Sequence, residues 1–149
     1  MMKFTFKLEK LLSYKLQILD SEMMSLSVLR KELEESEKIL NELKKKQDHC
    51  QRDFEEKILG KTKPATLQSY TPYIEDLKSK IKETGLLIDN LLIRMDEQIE
   101  IIKTVKLETK SLETLKDSRF DEYKKLDLKK TEQQIEEFVM TSKINAQSY

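Results

Sequence analysis

GKTKPATLQSYTP, residues 60–72, interrupts an otherwise helix-friendly chain. On either side run long stretches rich in Leu, Ile, Lys and Glu. Gly60 and Pro64 are the strongest helix-breaking signals in the sequence. Gly favours the left-handed residue that closes a helix, and Pro soon after cannot continue one. Thr71 before Pro72 reads as an N-cap followed by Pro at the first helical position. The expectation is one helix up over about residues 3–59, a turn over about 60–71, and one helix back over about 72–140. Residues 141–149 lose periodicity and are expected to fray.

Working outward, Leu12, Leu19, Leu26, Leu33, Leu40, Gln47 and Phe54 form one column at sevens. A second column holds Leu8, Leu29, Leu43 and Cys50, interrupted by Lys15, Glu22 and Ser36. Together they make a stripe along one side of a helix. On the return, Ile74, Ile81, Ile88, Met95 and Ile102 run beside Leu77, Leu91, Val105 and Leu112, with Thr84 and Gln98 in the gaps. Pairs such as Glu34 with Lys38 and Glu42 with Lys46 add only about 0.2–0.5 kcal/mol each. Burial of the Leu column decides the matter, at roughly 1.5–3 kcal/mol per side chain. A helix over the first arm would be about 80 Å long and needs a partner for its stripe. The fold class is therefore all-α, an antiparallel two-helix coiled-coil hairpin forming a single domain. After Leu112 the apolar phase slips through Leu115, Phe120 and Tyr123, a stutter that changes the supercoil locally. Antiparallel pairing about the turn sets the N-terminal segment beside roughly residues 115–130.

Composition agrees with long helices. Only two Gly and two Pro occur in 149 residues, too few for the turns of a compact multi-element domain. Twenty-eight basic residues balance 28 acidic ones, which removes the electrostatic footprint of a general nucleic-acid binder. The single Cys50 fits a reducing compartment. No apolar run approaches the roughly 20 residues needed to span a bilayer, and the start lacks the features of a signal peptide. These features point to a cytosolic protein, or one held at a membrane by partners and not inserted directly.

Chemistry-bearing patterns are scarce. No Gly-rich phosphate loop is present, and His49 beside Cys50 points about 100° away on a helix, a poor metal pair. Cys50 falls in the apolar stripe, as a small core residue would. The many carboxylates lie on a convex surface without the pocket that acid–base catalysis needs. No enzyme activity, catalytic residue, metal or cofactor is expected. Leu16, Ile18, Met23, Met24 and Val28 widen the stripe, either as seam contacts or as a surface for another protein. The basic start, with Lys3, Lys7, Lys10 and Lys15, suits a helix end docked on protein better than a lipid-facing segment.

Three segments together resemble one family. FTFKLEKLLSY (residues 4–14) is similar to the opening of flagellar export proteins of the FliJ type, through Phe4, Phe6, Lys7, Leu8, Glu9, Leu11, Leu12 and Tyr14. YTPYIEDLKSKI (residues 70–81) resembles the opening of that family's second helix, and EQQIEEFV (residues 132–139) its acidic closing motif. Lys7 stands where Arg is frequent, and Pro72 departs from the pattern at the helix start.

The resemblance implies a hairpin similar to the stalk of the rotary ATPase gamma subunit. It implies a non-enzymatic component of flagellar type III export, at the inner face of the cell membrane at the flagellar base. Its implied partners are the hexameric export ATPase, the membrane-embedded export gate and export chaperones. Such a protein helps couple ATP hydrolysis to export. Carried over by position, the ring-facing candidates are Phe4, Phe6, Leu8, Leu12, Tyr14, Ile135 and Phe138, and the gate-facing candidates are Tyr70 and Tyr73. Packing in the intramolecular seam is the competing role for each of them. The rival functions are the stalk protein of a virulence type III secretion system and a structural coiled-coil spacer or holdase. A prefoldin-like holdase would need strand alternation at the turn, which residues 60–72 lack.

Overall fold

A computed structural model describes residues 3–60 and 62–147. It contains two long helices, α1 (Glu9–Leu59) and α3 (Tyr70–Gln147), with the short α2 (Pro64–Gln68) between them. No strand occurs among the described residues. The chain is all-α, as the heptad columns require. Its backbone groups into two compact units, Met1–Leu19 with Thr104–Tyr149, and Asp20–Lys103.

The unit Asp20–Lys103 is a helical hairpin built on the expected columns. Leu26, Leu29 and Cys50 of α1 and Leu77, Leu91 and Ile102 of α3 are buried. Leu33, Leu40, Leu43, Ile81, Ile88 and Met95 are half-buried beside them, as a seam with only two helices allows. The interruptions of the second column belong to the seam as well. Ser36 is buried, and Glu22 accepts hydrogen bonds from Gln98 Nε2 at both its side-chain Oε2 and its backbone carbonyl, the latter at 2.9 Å. No buried side-chain N or O among the described residues lacks a hydrogen-bond partner, which is the condition for polar groups to be tolerated in such a seam.

The turn differs from the expectation in three ways. Gly60 is not left-handed, since no described glycine has positive φ. Its N–H still bonds to the Glu56 carbonyl at 3.2 Å. Pro64 opens a helix where a continuous turn was expected. Lys63 before it is extended (φ −64°, ψ 139°), the conformation a following Pro imposes. Pro is at home in the first helical turn, where its missing N–H has no intrahelical acceptor. Finally, α3 begins at Tyr70, so Pro72 sits inside the first turn of α3 and needs no break. Lys61, within the expected turn, lies outside the described residues.

In the unit formed by both chain ends, α1 begins at Glu9 and not near residue 3. Residues 3–6 have no regular structure, and Glu9 N–H bonds back to the Phe6 carbonyl at 3.2 Å. Phe4 and Phe6 explain the late start, because the Phe4 ring packs on Phe120 and Tyr123 of α3 and Phe6 is buried. Phe6, Leu12, Val105 and Thr109 are buried here, with the Thr109 hydroxyl donating to the Val105 carbonyl at 2.8 Å. At the other end α3 remains helical to Gln147 where fraying was expected. Residues 132–147 contain no Gly or Pro, so nothing local stops the helix. Ser148 and Tyr149, the last of the expected frayed tail, lie outside the described residues.

Candidate partner-binding surfaces

The N-terminal segment forms an aromatic clasp on α3. The Phe4 ring sits edge-on to Phe120 at 5.1 Å between centroids and tilted against Tyr123 at 5.5 Å. Phe120 and Tyr123 stack at 6.2 Å, and Lys124 Nζ lies 4.5 Å above the Phe120 ring. Such edge and offset arrangements follow the ring quadrupole, at about 0.5–1.5 kcal/mol per pair beyond burial. Two ion pairs flank the clasp, Lys116 with Glu9 at 2.8 Å and Lys15 with Glu108. Between the strap and α3 lies an open crevice of about 540 Å³, lined by Phe4, Phe6, Leu8, Leu115, Arg119 and Leu126 among others.

Past the clasp α3 continues without cover. Every residue from Lys124 to Gln147 is exposed. Leu128, Ile135, Phe138, Val139, Met140 and Ile144 are among the exposed large apolar side chains, Phe138 at 73%. An isolated helix gains most of its stability from packing its apolar face, which here is bare.

The ring-facing candidates therefore divide. Phe6 and Leu12 are buried and Phe4 is half-buried in the clasp, so all three are engaged within the chain. Leu8, Tyr14, Ile135 and Phe138 are exposed. Ile135 and Phe138 lie beyond the clasp, so the clasp rings and these two do not share one cluster.

The gate-facing candidates also divide. Tyr70 packs its ring 5.7 Å from Phe54 and donates its hydroxyl to Asp53 Oδ2 at 2.6 Å, while Lys57 Nζ donates to the same hydroxyl. The Tyr70 bond holds the Asp53 carboxyl below its ordinary value, with Lys57 and His49 adding to the effect. The same hydroxyl raises Lys57, helped by the Asp53 charge. Tyr70 thus fastens the start of α3 to the end of α1, whereas Tyr73 is free on the surface at 49% exposure. The Asp53–Tyr70–Lys57 triad escaped the sequence reading, though the four-residue spacing of Asp53 and Lys57 was a signal.

No group of three or more His, Cys, Asp or Glu side chains that could hold a metal occurs among the described residues. No described helix is long and apolar enough to cross a membrane. Long helices, an aromatic clasp and a bare apolar helix end characterise this all-α coiled-coil chain. The family model described as Flagellar FliJ protein matches residues 2–148, nearly the whole chain, and the chain belongs to that family. It is thereby a component of the flagellar export apparatus, and the family is non-catalytic. No curated protein and no solved structure matches the chain.

Proposed function

We propose that this chain docks on the hexameric export ATPase, contacts the export gate and binds export chaperones, so helping couple ATP hydrolysis to export. It is held through these partners at the inner face of the cell membrane. The observation that carries the reading is the bare apolar end of α3, in a chain that belongs to the FliJ family. A run of exposed apolar side chains such as Ile135, Phe138, Val139 and Met140 supports an interaction site on this helix end. Tyr14, Ile135 and Phe138 are the ring contacts, since Phe4, Phe6 and Leu12 already pack within the chain. Phe4 and Phe6 set the clasp from which the helix end projects. Tyr73 is the gate contact.

The test is ATP hydrolysis by the cognate export ATPase with the full chain and with Tyr14→Ala/Ile135→Ala/Phe138→Ala. Wild type should stimulate hydrolysis and the triple variant should not, with far-ultraviolet circular dichroism unchanged. Absence of both binding and stimulation by wild type would overturn the reading. Stimulation by both proteins would retain the ATPase as partner and move the contact elsewhere.

A further inference from the structure

The crevice between the N-terminal strap and α3 has no part in the contacts proposed above. It lies wholly within the unit formed by both chain ends, between residues 3–8 and one face of α3. Leu115, Arg119, Glu122, Tyr123 and Leu126 supply that face, at the three- and four-residue spacings that bring side chains to one side of a helix. Its volume of about 540 Å³ is within the range of pockets that hold ligands, roughly 300–1,000 Å³. The lining is mainly apolar, with Leu8 and Leu126 left exposed in it and Leu115 half-buried. Its charges are lopsided, with Lys3, Lys7 and Arg119 against Glu122 alone. All four are exposed, and none of them takes part in an ion pair among the described residues. Lysines close by are engaged, Lys15 with Glu108, Lys116 with Glu9 and Lys124 on the Phe120 ring.

We infer that this crevice binds an acidic amphipathic peptide segment of a partner protein, with apolar side chains inward and carboxylates on Lys3, Lys7 and Arg119. Exposed leucines in a concavity call for apolar side chains to cover them. Three cations beside one carboxylate leave an excess of positive charge that a neutral or basic segment would not answer. Arg119 adds a planar fork of donors that suits a carboxylate better than any other common side chain. The crevice is open, so its occupant keeps one side in water, which suits an amphipathic segment and not a wholly apolar one. A fatty acid brings a single carboxylate to three cations, and a flat bilayer does not enter a concavity. Charge at the rim then governs which segment is accepted, while burial of the leucines supplies affinity. The inference stands apart from docking on the ATPase through Tyr14, Ile135 and Phe138, none of which lines the crevice.

Fluorescence anisotropy with the full chain tests this. The probe is a fluorescein-labelled helical peptide with leucine at every third or fourth position and glutamate at the others. A control peptide carries lysine in place of glutamate. Wild type should bind the glutamate peptide and not the lysine one, with affinity falling as salt rises. Lys7→Glu/Arg119→Glu should weaken binding about tenfold or more, and Leu126→Glu should weaken it as well. Glu122→Gln should tighten binding, a gain that loss of structure would not produce. These positions are exposed, so far-ultraviolet circular dichroism should not change. Failure of wild type to bind the glutamate peptide, equal binding of the two peptides, or charge-reversed and Leu126→Glu variants that bind as well as wild type would each overturn the proposal. Tighter binding of dodecanoate or of phosphatidylglycerol vesicles than of the peptide would overturn the peptide as occupant. No ATPase is present, so the result neither depends on the docking reading nor decides it.

Discussion

Leu91 and Leu92 are neighbours on α3 with identical side chains, but Leu91 is 1% exposed and Leu92 is 45% exposed. Replacing each in turn by Ala changes helix propensity equally and leaves burial as the only difference. Leu→Ala removes three carbons, which at about 0.8 kcal/mol per buried methylene comes to about 2.4 kcal/mol for Leu91. Part of the space left in a two-helix seam is open to water, so the cost belongs near the lower end of the roughly 2–5 kcal/mol found for buried Leu→Ala changes. Leu92 loses about half of the transfer contribution, about 1.2 kcal/mol. The two variants should therefore differ by about 1.2 kcal/mol. With a urea slope of about 2 kcal/mol/M, their midpoints should be separated by about 0.6 M. Equilibrium urea unfolding followed by ellipticity at 222 nm measures this directly. Equal midpoints, or a lower midpoint for Leu92→Ala, would refute the assignment of α3's buried face.

Two further outcomes follow from local geometry. Gly85 lies inside α3, and an added Cβ there meets nothing within 4 Å. Gly85→Ala should raise stability by about 1 kcal/mol, seen as a higher urea midpoint at constant slope. Tyr70→Phe should return the Asp53 carboxyl toward 3.8 and the Lys57 ammonium toward 10.5 in an NMR titration. In wild type the Asp53 contribution is present above 3.8 and is lost as pH falls through its lowered folded value. The Lys57 contribution is present below 10.5 and is lost as pH rises through its raised folded value. The stability gap between wild type and variant should therefore be flat between those limits and narrow outside them. An Asp53 titration unchanged in the variant would count against the triad.

The long columns were legible because a heptad repeat constrains many residues at once. Leu26 and Leu91 could be placed in the seam from spacing alone, and both are buried. Polar members of the columns were harder to read. Glu22 and Gln98 each look like a gap until the other helix supplies the matching group, and that pairing depends on axial register. The start of α1 and the stretch that follows its end differ from the expectation for opposite reasons. At Phe4 packing against α3, and at Phe6 burial, prevailed over continuation of the helix. At Pro64 a residue read as a breaker is compatible with the first turn of a new helix. The resemblance selected Phe4, Phe6, Ile135 and Phe138 together, but only tertiary packing separates the engaged Phe4 and Phe6 from the exposed Ile135 and Phe138.

The bond from Gln98 to the Glu22 carboxylate has a mechanical consequence. An apolar seam of repeating Leu and Ile can slip by one heptad and find similar neighbours again. The amide-to-carboxylate pair of Gln98 and Glu22 does not recur, because one heptad of travel sets Gln98 beside Lys15 or Leu29 instead. Around this layer the helices of Asp20–Lys103 are latched against sliding lengthwise. Any signal carried through that unit must then travel as bending or twisting of the pair, not as a piston stroke of one helix along the other.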